Sequence, residues 1–216
     1  MSNSRQNANY LSIIGFGYLR PILALLERLE ALPRSAVNEV HAAQPLNGFS
    51  ASIVALSVLL VESAIARTQY DLGVKPPKRP LEFFRSQFST CPHLEELQEL
   101  YVIRDVIAHN HVWEANFTWD EGLGMRLHWA ELTSGYGDSK LEKVIDTNTR
   151  TTKLLNLNLF PTRINRSDAI VVLKSAVSIL RYLEEFGSSL VNISNQHEMY
   201  KGSLERFVDV VDSLEP

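Results

Sequence analysis

Apolar residues recur at helical spacing near the start of the chain. Residues three or four positions apart share one face of a helix, and Pro33 marks a stop, so residues 10 to 32 are predicted to be helical. Pro21 either kinks this helix or divides it. The apolar series consists of Leu19, Ile22, Leu23, Leu26 and Leu29.

The longest apolar stretch, "ASIVALSVLLV", predicts a second helix that starts at a capping Ser50 or Ser52 and runs to about Tyr70. Gly73 and the two prolines that follow end it. The stretch is shorter than the about 20 apolar residues that cross a bilayer. We therefore expect a buried core helix and no membrane segment.

Four further helices are predicted from proline starts, caps and periodicity. "PLEFFRSQF" begins one at Pro80, and "HLEELQELYVIRDVIAHNH" forms the next after Pro92. A strongly periodic helix follows a cap at Asn165 or Ser167 and ends near Gly187. The last helix is predicted over residues 198 to 213.

Two segments change from a helical period to a period of two. "WEANFTW" and "MRLHWAEL" alternate apolar and polar residues around the turn-like "DEGLG", which predicts a β-hairpin. Residues 133 to 150 have the pattern of a polar loop, and "KLLNLNLF" fits a third strand or a helix. The expected fold is mainly α: one domain over residues 1 to 216, an antiparallel helical bundle with a small β-hairpin insertion at about 112 to 160.

Composition narrows the function classes. The formal net charge of −4 argues against coating nucleic acid by bulk charge, so any polyanion site must be local. Cys91 is the single cysteine, which excludes an internal disulfide and fits a reducing compartment. The amino terminus lacks the pattern of a signal peptide. We predict a cytoplasmic protein.

The octet "RDVIAHNH" at the end of the fourth helix carries the most chemistry. At about 100° per residue, Arg104, Asp105, His109 and His111 share one arc of the helix with Tyr101, while aliphatic residues fill most of the rest. Asp105 and His109 lie four residues apart and can meet. An ordinary solvated helix face fits the same pattern, so geometry alone leaves both interpretations open.

The octet resembles the motif of the HEPN superfamily, helical-bundle proteins marked by an arginine, usually a polar residue after it, and a histidine four to six residues further on. Arg104 and His109 fit with four intervening residues, and Arg104 and His111 fit with six. The order of helices is similar over roughly residues 10 to 112 and 166 to 190. The hairpin region departs from the pattern and leaves the subfamily open.

The resemblance implies a metal-independent endoribonuclease without a cofactor, often a toxin or phage-defence effector, whose active site forms across a homodimer. RNA is the expected partner, and an antitoxin or other regulatory protein is a further one. His109 is expected to act as general acid or base, Arg104 to stabilise phosphate, and Asp105 to orient His109. His111 either assists the site or occupies the helix terminus.

Several other residues have two interpretations. Lys75, Lys78, Arg79 and Arg85 lie near Phe83 and Phe84 and form either an RNA-binding patch with stacking aromatics or a solvated loop before a core-facing pair. Glu62 and Arg67 interrupt the apolar second helix, and a buried charge needs a partner; Glu62 supports Arg104, forms a structural ion pair or lies on an exposed helix edge. His109 and His111 have too few neighbouring ligands to predict a metal site.

Two non-catalytic alternatives remain. In the first, the bundle is a protein-interaction module and the Arg104 face is its interface. In the second, Arg104 holds the phosphate of a nucleotide without breaking a bond. Binding without turnover distinguishes the second from a nuclease.

Overall fold

Seven α-helices and three two-stranded antiparallel sheets make up the part of the chain that the structure describes. The structure is a computed structural model that describes residues 15–33, 42–108, 113–120, 124–132 and 139–216. The elements are α1 Leu19–Glu30, α2 Gln44–Asp71, α3 Pro80–Gln87, α4 Leu94–Ala108, β1 Trp113–Asp120, β2 Gly124–Leu132, α5 Ser139–Val144, β3 Ile145–Asp146, β4 Thr151–Thr152, α6 Arg166–Phe186, β5 His197–Tyr200, β6 Ser203–Arg206 and α7 Phe207–Ser213. A mainly α fold with a β1–β2 hairpin is thereby confirmed.

Helix α2 is the centre of the helical bundle, and α1, α4 and α6 pack around it. The predicted apolar face of α1 is fully buried, and so is the apolar face of α6. By length and composition alone α2 could cross a membrane, but half of its most apolar window is buried inside the protein. Burial on this scale supplies the hydrophobic free energy that holds the bundle together.

Helix boundaries agree best with the sequence where a local signal sets them. Pro80 starts α3, and α4 begins two residues after Pro92. Asn165 caps α6: its side chain accepts from Ser167 N at 2.8 Å. The helix ends at the C-cap Gly187, as predicted.

The start of α2 was predicted wrongly. The helix begins at Gln44, with Pro45 in the first turn where no backbone donor is needed. Ser52 lies inside the helix, where its hydroxyl donates to Gly48 O at 2.8 Å. Serines in a helix interior bond to carbonyls one turn back in this way, so they do not mark a start.

Pro21 neither kinks nor divides α1. It is the third residue of the helix, and a four-residue 3-10 turn, Gly15–Tyr18, precedes the first. Amides in a first helical turn have no intrahelical acceptor, so the missing N–H of proline costs nothing there. The part of the predicted first helix before residue 15 lies outside the described residues.

The segment between β4 and α6 is neither of the two alternatives for "KLLNLNLF". Its backbone amides bond to side chains: Leu154 N and Leu155 N both donate to the buried carboxylate of Glu99, at 2.9 Å each. Asn158 N donates to Asp168 Oδ1 at 2.9 Å. With its donors satisfied by side chains, the segment needs no regular ladder. The expected polar loop before it also contains α5 and β3.

The carboxyl-terminal helix is shorter than predicted, because residues 197–206 form a second hairpin outside the expected insertion. Lys201 and Gly202 connect β5 and β6 with positive φ angles of 48° and 84°, as a two-residue hairpin turn requires. The hairpin packs on α1, where Tyr200 Oη donates to Glu30 Oε2 at 2.6 Å.

Arg67 is the second charge predicted to need a partner in α2. It is only 6% exposed, and its guanidinium lies 4.6 Å from the ring centroid of Phe16. Within the described residues none of its nitrogens has a hydrogen-bond partner, and burial lowers its pKa. A Cβ on Gly15 would lie 2.7 Å from Nη2, so a larger residue there would require the Arg67 side chain to shift.

We predict that Asp168→Ala destabilises the protein by about 1–3 kcal/mol, because buried amide donors lose their acceptor. Asp168 is buried and accepts from the backbone of Asn158 and of Asn165. Urea unfolding measures the change. Glu185→Ala, an exposed change on the same helix, is the control and should stay within about 0.5 kcal/mol. Equal stabilities for the two variants would contradict the role of Asp168.

Candidate functional site

Helix α4 places three of the predicted polar residues in a cavity rather than on an open surface. Tyr101 is 7% exposed and Asp105 is 8% exposed, whereas Arg104 is half-buried. The alternative of an ordinary solvated helix face is therefore wrong for Tyr101 and Asp105. Buried polar groups need partners, and the elements around α4 supply them.

His109 and His111 lie outside the described residues. Helix α4 is described as far as Ala108. Their predicted roles, and the predicted contact between Asp105 and His109, are therefore not tested by the geometry. Arg104 and Asp105 are the two predicted catalytic residues that the structure describes. Both lie in the last turns of α4, on the segment that leads to the histidines.

Arg104 is held from two sides. Its Nη2 donates to Glu62 Oε1 of α2 at 2.8 Å, which makes the ion pair suggested by the sequence. Its Nε lies 3.3 Å from Asp105 Oδ1, a charge contact without hydrogen-bond geometry. The guanidinium also lies 5.7 Å from the ring centroid of Tyr101. These contacts fix the guanidinium plane before any ligand arrives.

Burial shifts the acid–base equilibria of two groups beside Arg104. Desolvation raises the pKa of Glu62; Arg104 lowers it without cancelling the effect, and Asp105 raises it further. Burial raises the pKa of the Tyr101 hydroxyl, and the nearby charge of Glu62 raises it further. Tyr101 is therefore a neutral hydroxyl at physiological pH, and its Oη has no hydrogen-bond partner in the described part of the chain.

The Arg104 cavity, as we name it, has a volume of about 670 Å³. Helices α2, α3, α4 and α5 contribute its walls. Its charged residues are Glu62, Arg79, Glu82, Arg85, Arg104, Asp105 and Lys143. Small-molecule sites typically measure about 300–1,000 Å³, so the cavity is large enough for a nucleotide-sized group.

The structure divides the predicted basic patch. Arg79 and Arg85 line the Arg104 cavity, and Arg85 Nη2 donates to Gln98 Oε1. Lys75 and Lys78 do not line it: Lys75 is exposed, and Lys78 Nζ lies 3.3 Å from Ser86 Oγ. Two of the four predicted RNA-binding residues therefore meet Arg104 at one site.

Phe83 and Phe84 belong to the core and not to a stacking surface. Both side chains are fully buried. Phe84 lies against Phe88 and Tyr182, with ring centroids 5.2 and 6.3 Å apart. The interpretation as stacking aromatics is wrong, and the core-facing alternative is confirmed.

Sequence reasoning missed Tyr101 and Lys143 as members of the site. Tyr101 shares the polar arc of α4, but nothing local indicates that its hydroxyl is buried beside Glu62. Lys143 lies on the short helix α5 within a predicted loop. Among the residues the structure describes, no group of three or more His, Cys, Asp or Glu side chains could hold a metal ion.

Comparisons with known proteins return no family model, no curated protein and no solved structure that matches this chain. The HEPN resemblance therefore rests on residues 104 to 111 and on the order of the helices. Any function must be argued from the Arg104 cavity and from the residues that lead out of α4.

We predict that Glu62→Gln increases stability by up to about 1 kcal/mol at neutral pH, a small value because the site is partly screened by solvent. Since the folded-state pKa is raised, the folded protein binds a proton more readily than the unfolded chain. The carboxylate therefore destabilises the fold above that pKa, and the advantage of the glutamine should disappear as pH falls below the usual glutamate range.

Urea unfolding of both proteins near pH 4 and near pH 7 measures this difference. Glu82→Gln changes an exposed carboxyl of the same cavity and is the control, for which little change is expected. A Glu62→Gln variant that is less stable than wild type at neutral pH and equal to it at low pH would reverse the predicted sign.

Proposed function

We propose that this chain is a metal-independent endoribonuclease with an antiparallel HEPN-like bundle that cleaves RNA as a homodimer. The observation that carries the proposal is the position of Arg104. It lies in the wall of a cavity with three other basic side chains, five residues before His109. The proposal assigns phosphate recognition to Arg104 of α4 and acid–base chemistry to His109, which follows in the sequence.

RNA carries its own nucleophile, so the protein needs no covalent intermediate. In the proposed reaction the 2′-oxygen attacks the adjacent phosphorus and the bond from phosphorus to the 5′-oxygen breaks. A base removes the 2′-hydroxyl proton, and an acid protonates the leaving 5′-oxygen. The products are a 2′,3′-cyclic phosphate and a 5′-hydroxyl.

The side chains of this site divide that work. Histidine is the usual acid–base residue at neutral pH, so His109 supplies the acid or base, while Arg104 stabilises the negative charge that develops on the phosphorane. Asp105 orients His109, and His111 either assists or stabilises the helix terminus. One copy supplies only part of the set, so a two-fold axis near α4 would bring a second imidazole and guanidinium to the same phosphate.

Arg79 and Arg85 extend the phosphate-binding surface away from Arg104. Arginine presents a planar fork of donors that suits phosphate oxygens. With Arg104 and Lys143 they give the cavity four basic side chains despite the net charge of −4 for the whole chain. A local cation cluster of this kind is what binding to RNA requires when bulk charge is unfavourable.

A regulated toxin or phage-defence effector is the biological role that the resemblance favours, with an antitoxin or other regulatory protein as partner. The second candidate is a nucleotide-binding module that does not cleave RNA. A concave site of about 670 Å³ favours this candidate over a flat protein-interaction surface. Turnover of RNA separates it from the nuclease.

We predict that wild-type protein cleaves a mixed RNA pool in EDTA and leaves cyclic phosphates. His109→Ala should reduce cleavage by about 100-fold or more, the usual loss on removing a general acid or base. Arg104→Lys keeps the charge but loses the fork and should also slow cleavage. His197→Ala, an exposed histidine of β5, is the matched control and should cleave normally.

Mapping of the product ends and gel quantification measure these rates, with circular dichroism to verify folding. Intact RNA in the presence of folded wild-type protein would contradict the nuclease. Cleavage by folded His109→Ala at the wild-type rate would contradict the assignment of His109.

We predict that Arg79→Ser with Arg85→Ser weakens RNA binding about tenfold or more and reduces the slope of log affinity against log salt by about two. The double variant Lys75→Ser with Lys78→Ser makes the same charge change outside the Arg104 cavity. It should weaken binding less. Filter binding at several salt concentrations measures both, and an equal loss in the two double variants would contradict the cavity as the binding site.

A further inference from the structure

Glu62 is the carboxylate closest to the proposed phosphate-binding arginine. It projects from the otherwise apolar middle of α2, between the buried Val61 and Ala64. Its Oε1 accepts from Arg104 Nη2 at 2.8 Å, and both side chains are 25% exposed. The pair is therefore shielded from water but open to the Arg104 cavity.

The charges that face Glu62 come from three other helices. Helix α4 contributes Tyr101, Arg104 and Asp105. Helix α3 contributes Glu82 and Arg85, the residue that precedes it contributes the Arg79 guanidinium, and helix α5 contributes Lys143. With all of these groups ionised except Tyr101, the described side chains leave the cavity one excess positive charge, because four cations face three carboxylates. Loss of one carboxylate charge doubles that excess.

We propose that Glu62 competes with the RNA phosphate for Arg104, so that protonation of Glu62 releases the guanidinium and strengthens RNA binding. This inference rests on the proposed RNA substrate. It assigns to Glu62 a positioning role that acts through Arg104, not a contact with the reacting atoms.

The geometry gives the competition a physical basis. Arg104 Nη2 donates to Glu62, and a phosphate oxygen that approaches the same edge of the guanidinium must share or displace that donor. An ionised Glu62 also repels the phosphate directly, with only partial screening by solvent because its side chain is 25% exposed. A protonated Glu62 is neutral and accepts a weaker hydrogen bond. Protonation therefore decreases both the competition for the Arg104 donor and the repulsion of the phosphate.

The direction of the pH dependence follows from burial. Burial raises the pKa of Glu62 from 4.5, so its proton is taken up at a higher pH than that of an exposed glutamate. RNA affinity is then expected to increase as pH falls through this raised pKa. Other titrating groups contribute to the same trend, so the test must isolate the contribution of Glu62.

Glu82 offers the matched control. It lines the same cavity, yet its side chain is exposed and the structure shows no ion pair between it and Arg104. Glu62→Gln and Glu82→Gln remove the same charge from the same cavity. Only the first removes it from the partner of Arg104, so their difference measures the competition.

The probe is a 2′-O-methyl RNA oligonucleotide, which the proposed chemistry cannot cleave, and its affinity is measured from near pH 5 to near pH 8. At the upper pH, Glu62→Gln is expected to bind about tenfold more tightly than wild type, equivalent to about 1.4 kcal/mol. Its affinity should change less with pH than that of wild type. Glu82→Gln should gain at most about threefold and keep the wild-type pH dependence.

Equal gains in the two variants would overturn the proposal, as would weaker binding by Glu62→Gln. Glu62→Asp, which keeps the charge but shortens the reach to Arg104, is a second variant in case the glutamine does not fold; it should bind more tightly than wild type. Cleavage of unmodified RNA is measured in parallel. If the oligonucleotide binds with the predicted pH dependence but unmodified RNA is not cleaved, the nuclease is rejected and the competition is supported. If RNA is cleaved but the pH dependence of binding is identical in all variants, the nuclease is supported and the competition is rejected.

Discussion

The ion pair between Arg104 and Glu62 links helix α4, which carries Arg104 and Asp105, to the central helix α2. The proposed chemistry of the Arg104 cavity depends on this ion pair. Both side chains lie in a packed helical interface where water screens them only in part. Removal of Arg104 would leave the partly buried carboxylate of Glu62 beside Asp105 without its cation. The contact therefore fixes the orientation of the guanidinium and also determines how much of its charge a ligand can use. The same ion pair therefore connects the packing of α2 against α4 with the proposed binding of phosphate.

The surrounding bundle keeps that pair in place. Helix α2 buries its apolar faces against α1, α4 and α6, and this packing holds the backbone of Glu62 beside α4. Helix α3 is anchored by the fully buried Phe83 and Phe84, and this packing leaves Arg79 and Arg85 at the cavity wall. The aromatic pair thus supports the proposed site through position and not through contact with RNA.

Local signals explain which parts of the fold were predictable. Asn165 and Gly187 delimit α6 because capping depends on neighbouring residues alone. The β5–β6 hairpin was missed because four-residue strands give too short an alternation to oppose an apolar helical run. The same distinction applies to the candidate site. The polar arc of α4 predicted Arg104 and Asp105, whereas the burial of Tyr101 and the approach of Lys143 depend on tertiary packing. Glu62 could be named because a charge inside an apolar helix needs a partner.

Site-specific crosslinking can show directly whether RNA binds in the Arg104 cavity. A 2′-O-methyl oligonucleotide with scattered 4-thiouridines would be bound to the full chain, irradiated and digested, and the crosslinked peptides identified by mass spectrometry. RNA bound in the Arg104 cavity should give crosslinks in α3, α4 and α5, competed by unlabelled RNA. Competed crosslinks confined to the β1–β2 or β5–β6 hairpin would contradict it.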